Sequence, residues 1–262
     1  MSKPYRGVLY VALGNHFLRE AYRSARSLHR HHPEIPVQLF TDIEDLPEAY
    51  RSQFKFVVTL PSETYLAEGQ PVLARVLRAR VNCLRESCFQ QTLHLDSDTL
   101  ILRPIDALWS HLDNVDFSIA NEPLNDHPNN INLLLDYKNL RYYNAGVFAF
   151  RDSVPWKQFL QEWCKRLDSI PDADLVHMTG GDQRPLNQMI WDDGFPQAIG
   201  MRIAELDNLK FNARGIMFKR LRAEGKWNDV CIAHSHVLHV SAAQILRWKA
   251  IGFLRRLRLL GR

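Results

Sequence analysis

Two carboxylates one residue apart, Asp96 and Asp98, interrupt the apolar run LHLDSDTLIL at 93–102. A short run of Leu and Ile reads as a buried strand. Carboxylates at its end are costly unless a positive partner accompanies them. In extended chain, residues i and i+2 point to one face, with Cα atoms roughly 7 Å apart. That spacing suits one shared cation, and oxygen ligands beside a diphosphate select Mg²⁺ or Mn²⁺. The plain alternative is a pair of solvated turn residues after an ordinary strand.

Histidines form a second constellation. VCIAHSHVLH at 230–239 ends an apolar strand in His234, His236 and His239. His234 and His236 share a face by strand spacing, and neutral imidazole is a good Mn²⁺ or Zn²⁺ ligand. In YNAG at 143–146 the small residues let a ligand approach the backbone, and Asn144 offers both a donor and an acceptor. A turn or bulge is the alternative there. TGGDQRPLNQ at 179–188 sets Asp182 and Gln183 at a helix start, where Asp is also a favoured cap. The helix Val72–Arg85 carries Arg75, Arg78, Arg80 and Arg85. Arg78 and Arg85 read as a solvated face, while Arg75 or Arg80 could meet phosphate oxygens bidentately.

These residues need a scaffold, and the hydrophobic spacing supplies one. GVLYVAL (Gly7–Leu13) predicts a first strand, Phe17–His31 a helix and Val37–Thr41 a second strand, a unit that implies a parallel pair. Phe54–Leu60 predicts a third strand. The DSD strand follows the Arg-rich helix, then a short helix at Ile105–Leu112 and a strand at Asp116–Asn121. The Asn-rich Asn125–Tyr143 reads as loop. Val147–Phe150 predicts a strand, Pro155–Leu167 a helix, Gly180–Trp191 a turn leading into a helix, and Ile199–Leu206 and Val230–His236 late strands. In open α/β sheets ligands lie beyond the carboxyl ends of the strands. Tyr10, Ala12 and Asn15 fall near that crevice, and Asp42 could accept hydrogen bonds from a ribose or base. Strand one lacks GxGxxG, so a dinucleotide fold is not supported.

The 262 residues are 46% hydrophobic and 24% charged, which suits one α/β domain at 1–242 with an extension at 243–262. Of the +4 net charge, six positive groups sit in the extension: Arg247, Lys249, Arg255, Arg256, Arg258 and Arg262. Removing them leaves −2, which argues against a broad nucleic-acid surface. Leu246, Ala250, Phe253, Leu254, Leu257 and Leu260 share one helical face, so the extension predicts a basic amphipathic helix. Such a helix suits an anionic membrane surface or packs on the domain. The opening stretch lacks a secretory h-region, and no apolar run approaches a membrane span. Cys83, Cys88, Cys164 and Cys231 form no CxxC pair, so they read as reduced. The expected location is cytoplasmic, peripheral at the inner membrane face if the tail binds lipid.

In their order along the chain, these features resemble the GT-A nucleotide-diphospho-sugar transferases. Within them the likeness is to the glycogenin and lipopolysaccharide galactosyltransferase family, over roughly residues 7–240. LHLDSDTLILRPIDALW (93–109) is similar to that family's DxD strand and following helix. YNAGVFAF (143–150) is similar to its N-[AS]-G-V strand, GDQRPLN (181–187) to its D-Q-x-x-L-N motif, and VCIAHSH (230–236) to its metal-binding His strand. The resemblance implies a GT-A fold, a Rossmann-like mixed sheet flanked by helices in a single domain. It implies Mn²⁺ (or Mg²⁺) on Asp96 and Asp98, with Asp98 the more direct ligand and Asp96 also at the ribose. His234 or His236 would complete the protein ligands. Tyr10, Ala12 and Asp42 would contact the nucleoside, and Arg80 would lie near the diphosphate. Asn144, Ala145, Gly146, Asp182 and Gln183 would line the donor sugar, with Asp182, Gln183 and Asn144 in the catalytic set.

The resemblance therefore implies a hexosyltransferase. It would move a sugar from a nucleotide-diphosphate donor, a UDP-sugar by family likeness, to a hydroxyl of a glycan, glycolipid or protein, with retention of anomeric configuration. The chain departs from the family after His234: it lacks the x-x-G-x-x-K-P-W whose Gly and Lys hold the diphosphate, so Arg80, Lys219 or another basic residue must substitute. Two other classes compete. A nucleotidyltransferase shows a Gly- and Lys/Arg-rich phosphate loop after strand one, which Leu13–Leu18 lacks. A non-catalytic nucleotide-sugar or glycan-binding relative has no need of intact Asp96, Asp98 and Asp182.

Overall fold

The computed structural model describes residues 3–61, 66–67, 70–71, 73–122, 142–177 and 181–239. The Asn-rich stretch up to residue 141 and the tail at 243–262 lie outside the described residues.

Strand β1 (Arg6–Ala12) turns Val8, Tyr10 and Ala12 to one face and Leu9 and Val11 to the other. Gly14, at φ 88°, then reverses the chain in a conformation open to glycine. Helix α1 (Asn15–His29) follows and buries Leu18, Ala21, Ala25 and Leu28 at helical spacing. β2 (Val37–Thr41) pairs parallel with β1, as the strand–helix–strand unit predicts. The short α2 (Glu48–Arg51) leads to β3 (Phe56–Thr59), parallel to β2. A small ribbon, β4 (Leu66–Ala67) and β5 (Gln70–Pro71), precedes α3 (Leu73–Cys83). β6 (Gln91–Leu95) lies on the other side of β1, also parallel.

After β6 the backbone departs from expectation. Asp96–Asp98 is a turn rather than extended strand. The turn sends the next piece, β7 (Thr99–Ile101), out of the main sheet. Then come α4 (Asp106–His111), β8 (Phe117–Asn121), β9 (Tyr143–Arg151), α5 (Val154–Ser169), α6 (Asp172–His177) and α7 (Gln183–Trp191). The remainder is α8 (Phe195–Ala198), β10 (Ile203–Leu206), α9 (Asn208–Phe211), β11 (Ala213–Arg214), α10 (Phe218–Ala223) and β12 (Ile232–His234). Both late strands are shorter than predicted. Ile199, the C-cap of α8, and the left-handed Gly200 occupy the start of the first, and short 3₁₀ turns flank the second.

The main sheet has seven strands in the order β10-β8-β9-β6-β1-β2-β3. β9 runs antiparallel to both neighbours and the other pairings are parallel, so this is a mixed sheet. Helices cover both faces. Val147 and Ala149 of β9 pack on the α1 and α4 side, Phe148 and Phe150 on the α3, α5 and α7 side. Phe148, Phe159 and Trp163 are almost fully buried there, each contributing about 1.5–3 kcal/mol. A second sheet, β11-β12-β7, has its own small core of Met217, Phe218, Leu221 and Val230. β12 runs antiparallel to β7 with His234 opposite Thr99. That register carries the last strand back to the DSD turn.

Cys83, Cys164 and Cys231 are buried free thiols, and Cys88 is partly buried. Among the described residues no helix is long and apolar enough to cross a membrane.

Candidate active site

The DSD turn is held by backbone and side chains around it. Asp96 N donates to Gly146 O at 2.7 Å, and Ser235 N donates to Asp98 O at 2.9 Å. Thr99 Oγ1 donates to Asp96 O at 2.9 Å, and Ser97 Oγ donates to the buried Glu20 at 2.9 Å. The turn thus faces the two carboxylates toward β12 despite lacking strand geometry. His234 Nε2 lies 3.1 Å from Asp98 Oδ1 and 3.8 Å from Asp96 Oδ2. One ligand atom each from Asp96, Asp98 and His234 falls within 4.8 Å of the others. Two carboxylates and an imidazole this close form an oxygen-rich donor set that fits Mn²⁺ or Mg²⁺, with Zn²⁺ also accommodated. Gly146 makes the approach feasible. A Cβ there would sit 2.2 Å from His234 Cε1 and 2.7 Å from Asp96 Oδ2.

His234 is oriented by a residue that no sequence motif marked. Its Nδ1 is 2.8 Å from Asn212 Oδ1. With the proton on Nδ1, that bond leaves the Nε2 lone pair facing the carboxylates, the usual arrangement behind a metal-binding imidazole. Asn212 is fully buried, and its Nδ2 donates to Asn144 Oδ1 at 3.0 Å. Asn144 Nδ2 in turn donates to Gln183 Oε1 at 2.9 Å and to Glu122 at 2.5 Å. Gln183 Oε1 also accepts from Ala145 N at 2.7 Å. One chain of amides therefore joins the His strand, the β9 entry and the start of α7. Asn187 fastens α7 to the same place by bonding both backbone groups of Tyr143.

His236 has a different position. It begins a 3₁₀ turn after β12 and its side chain is 71% exposed. Its Nδ1 lies 3.2 Å from Asp98 Oδ2 and 3.9 Å from Glu20 Oε1. It thus sits at the rim, with no face shared with His234. The nearby Glu20 carboxylate pushes its imidazole up, against partial burial and with help from Asp98.

Arg80 extends from α3 into a buried ion cluster. It donates to Asp96 Oδ1 at 2.7 Å and to Asp182 Oδ2 through Nε at 2.9 Å and Nη2 at 2.5 Å. Burial works against ionising Asp96, yet Arg80, His94 and His234 outweigh it and hold its carboxyl well below the usual range. Burial likewise opposes Asp98, and His234 outweighs it. Asp182 is pushed up by burial while Arg80 pulls the other way. Asp182 sits at the N-cap position of α7 but makes no side-chain cap bond. Its carboxylate goes to Arg80 instead.

The residues expected around the nucleoside are placed differently from one another. Tyr10 and Ala12 are withdrawn into the core at 0% exposure. The Tyr10 hydroxyl bonds Ser24 at 2.8 Å, and burial pushes the phenol up. β1 alternation turns both side chains under α1. Asp42 is partly exposed at the carboxyl edge, where its Oδ1 accepts from Gly14 N at 2.6 Å. Asn144, Ala145 and Gly146 are buried where β9 passes the DSD turn. Lys219 is exposed on α10. Arg78, read as a solvated charge, instead donates to Leu167 O at 3.0 Å, Ile170 O at 2.5 Å and Asp172 at 2.5 Å. It closes the end of α5. Glu122, Asn212 and Arg214 were missed, because each is a single polar residue whose partner lies far along the chain.

No protein-family model matches the sequence, and no curated protein matches it. Solved structures do. The glycosyltransferase GlyE of Streptococcus pneumoniae TIGR4 superposes with a TM-score of 0.56 at 15% identity, over 91% of this chain and 55% of its own. The chain thus spans about half the length of that protein. The galactosyltransferase LgtC, in complex with donor and acceptor sugar analogues, gives a TM-score of 0.54 at 13% identity, over 88% of this chain and 87% of its own. A glycosyltransferase involved in glycosylation of the major capsid protein of PBCV-1 gives 0.52 at 14% identity, over 92% and 96%. The likeness is one of fold: the mixed α/β architecture is that of the GT-A glycosyltransferases.

Proposed function

We propose that this chain is a metal-dependent glycosyltransferase. It moves a hexose from a nucleotide-diphosphate sugar, with UDP favoured by family resemblance, to a hydroxyl of a glycan, glycolipid or protein. The observation that carries this reading is the convergence of Asp96, Asp98 and His234 within 4.8 Å beside Asn144 and Gln183. The fold likeness to solved glycosyltransferases supports it.

In this reading Asp96, Asp98 and His234 hold a divalent cation, Mn²⁺ or Mg²⁺. When bound, the cation supplies positive charge where the departing diphosphate develops negative charge. Asn212 keeps His234 in the metal-binding tautomer. Asn144 and Gln183, linked to one another, orient the donor sugar beside the cation site, and Gly146 leaves the space that His234 and Asp96 fill. Asp182 Oδ2 takes two hydrogen bonds from Arg80, so its role in this reading is to hold Arg80 and the α7 start in place rather than to attack. Retention of configuration follows from the resemblance alone, the cytoplasmic location from the reading of the cysteines as reduced, and the membrane-surface role from the basic amphipathic pattern of residues 243–262. Flotation with anionic vesicles, with and without residues 243–262, tests the last point.

A thermal-shift screen of UDP-, GDP-, CDP- and ADP-sugars, with and without Mn²⁺, tests the central claim. Ligand at 100 times its Kd stabilises by about 2.7 kcal/mol, a shift of roughly 5 °C for a chain this size. The expected result is a shift with one nucleotide class only when Mn²⁺ is present, and none in Asp98→Ala. Silence from every nucleotide with every divalent metal would overturn the reading.

A further inference from the structure

The site holds more negative charge than its guanidinium groups neutralise. Asp96, Asp98, Asp182, Glu122 and Glu20 all lie in or against it. A nucleoside diphosphate would add more negative charge than one divalent cation offsets. Arg80 is already committed to Asp96 and Asp182 through three hydrogen bonds. The segment after His234, Ser235 to His239, carries no lysine or arginine.

Among the described residues, Arg214 is a second guanidinium that touches this set. It leaves β11 beside His234 of β12. Its Nη1 lies 2.8 Å from both ring nitrogens of His234. A donor in the ring plane reaches only one nitrogen, so Arg214 lies over the ring face and leaves the Asn212 bond and the Nε2 lone pair undisturbed. Its Nε is 3.4 Å from Glu122 Oε1, longer than the 2.7–2.9 Å of a charge-assisted bond. Arg214 is thus a partly exposed cation, 28% accessible, next to the metal ligands and without a tightly bonded carboxylate among the described residues.

We propose that Arg214 binds the phosphate oxygens of the donor's diphosphate, next to the cation held by Asp96, Asp98 and His234. With Nη1 over the imidazole, the partly exposed guanidinium presents its remaining N–H groups to a ligand, and the guanidinium fork matches phosphate oxygens bidentately. The proposal rests on the donor-site reading above and assigns the contact that Arg80 is too committed to make.

The test is isothermal titration of the full chain with Mn²⁺ alone and with UDP, GDP, CDP and ADP in the presence of Mn²⁺. Arg214→Gln and Arg214→Lys are compared with the unsubstituted protein. Arg214→Gln is expected to weaken binding of the recognised nucleotide about 10- to 100-fold while leaving Mn²⁺ affinity within about twofold. Arg214→Lys keeps the charge over His234 and recovers part of the loss. Unchanged nucleotide affinity in Arg214→Gln overturns the assignment, and so does a parallel fall in Mn²⁺ affinity, which would mean that Arg214 acts through His234. If the unsubstituted protein binds none of the four nucleotides, the donor-site reading fails and the assignment fails with it.

Discussion

Two ion clusters meet at Asp96, and they are built on opposite terms. On one side Arg80 lies between Asp96 and Asp182 with three short hydrogen bonds, so the carboxylates there already have their cation. On the other, Asp98 has only imidazoles: His234 at 3.1 Å and His236 at 3.2 Å. The first cluster pairs its carboxylates with a guanidinium, whereas among the described residues the Asp98 carboxylate meets histidine rings and no guanidinium. A closed cluster fixes geometry, whereas an open one is where a ligand gains from binding. Burial makes both costly if broken, but only the open cluster is positioned to exchange its partner.

This contrast ranks the outcomes of substitution. The largest effect is expected from Asp98→Ala in the open cluster. Sugar transfer should fall by about 10³-fold, since several kcal/mol of charge stabilisation is lost, while Tm of the metal-free protein moves less than in Arg80→Met. Nucleotide-release assays paired with calorimetry read both. Arg80→Met in the closed cluster strands two buried carboxylates and should cost about 3–5 kcal/mol in urea unfolding. Adding Asp182→Asn should recover part of that cost, and a wholly additive double mutant would break the contrast. Asn212→Ala comes next. Losing the Nδ1 partner of His234 should weaken Mn²⁺ binding about 10- to 100-fold, measured by paramagnetic titration, with Asn212→Asp recovering only part of it, since it keeps the acceptor for His234 but loses the donor to Asn144.

The smallest effect is at the surface, where Asp152 pairs with Lys3 and Lys157 at 2.8 and 2.7 Å. Burial opposes ionisation of Asp152, and the two lysines together outweigh it and hold its carboxyl below the ordinary 3.8. A depressed carboxyl stabilises the fold above its unfolded value and loses that contribution as pH falls through the folded one. Asp152→Asn should therefore cost under about 1 kcal/mol at neutral pH. The difference from the unsubstituted protein should vanish well below pH 3.8, as unfolding at two pH values would show.

The two clusters also differ in how far they were legible. Asp96, Asp98 and His234 stand in apolar runs, and an interrupted hydrophobic pattern is a local signal. The parallel β1–β2 unit and the α1 stripe were readable for the same reason. The DSD geometry was not. A turn and a strand end share the same flanks, and only the pairing of β7 with β12 reveals which one forms. Arg80 was marked as a phosphate contact because its charge was visible and its partner, Asp182, was 102 residues away. Asn212, Arg214 and Glu122 were invisible for a related reason: a lone polar residue acquires meaning from whatever it touches, and here that is fixed by tertiary pairing.

The departure of β7 from the main sheet has a consequence for how the chain matures. The candidate metal ligands are separated by the sequence between residues 98 and 234, so the cluster closes only when β12 docks on β7. At a synthesis rate of roughly 5–20 residues per second, a ribosome needs on the order of 7–28 s to travel from the second aspartate to the histidine. During that interval the emerging sheet carries Asp96 and Asp98 without their imidazole, and Arg80 has no Asp182 until most of the interval has passed. Contacts this distant form late. Uptake of a divalent ion would thus wait for β12, the last strand among the described residues and the one that completes the site.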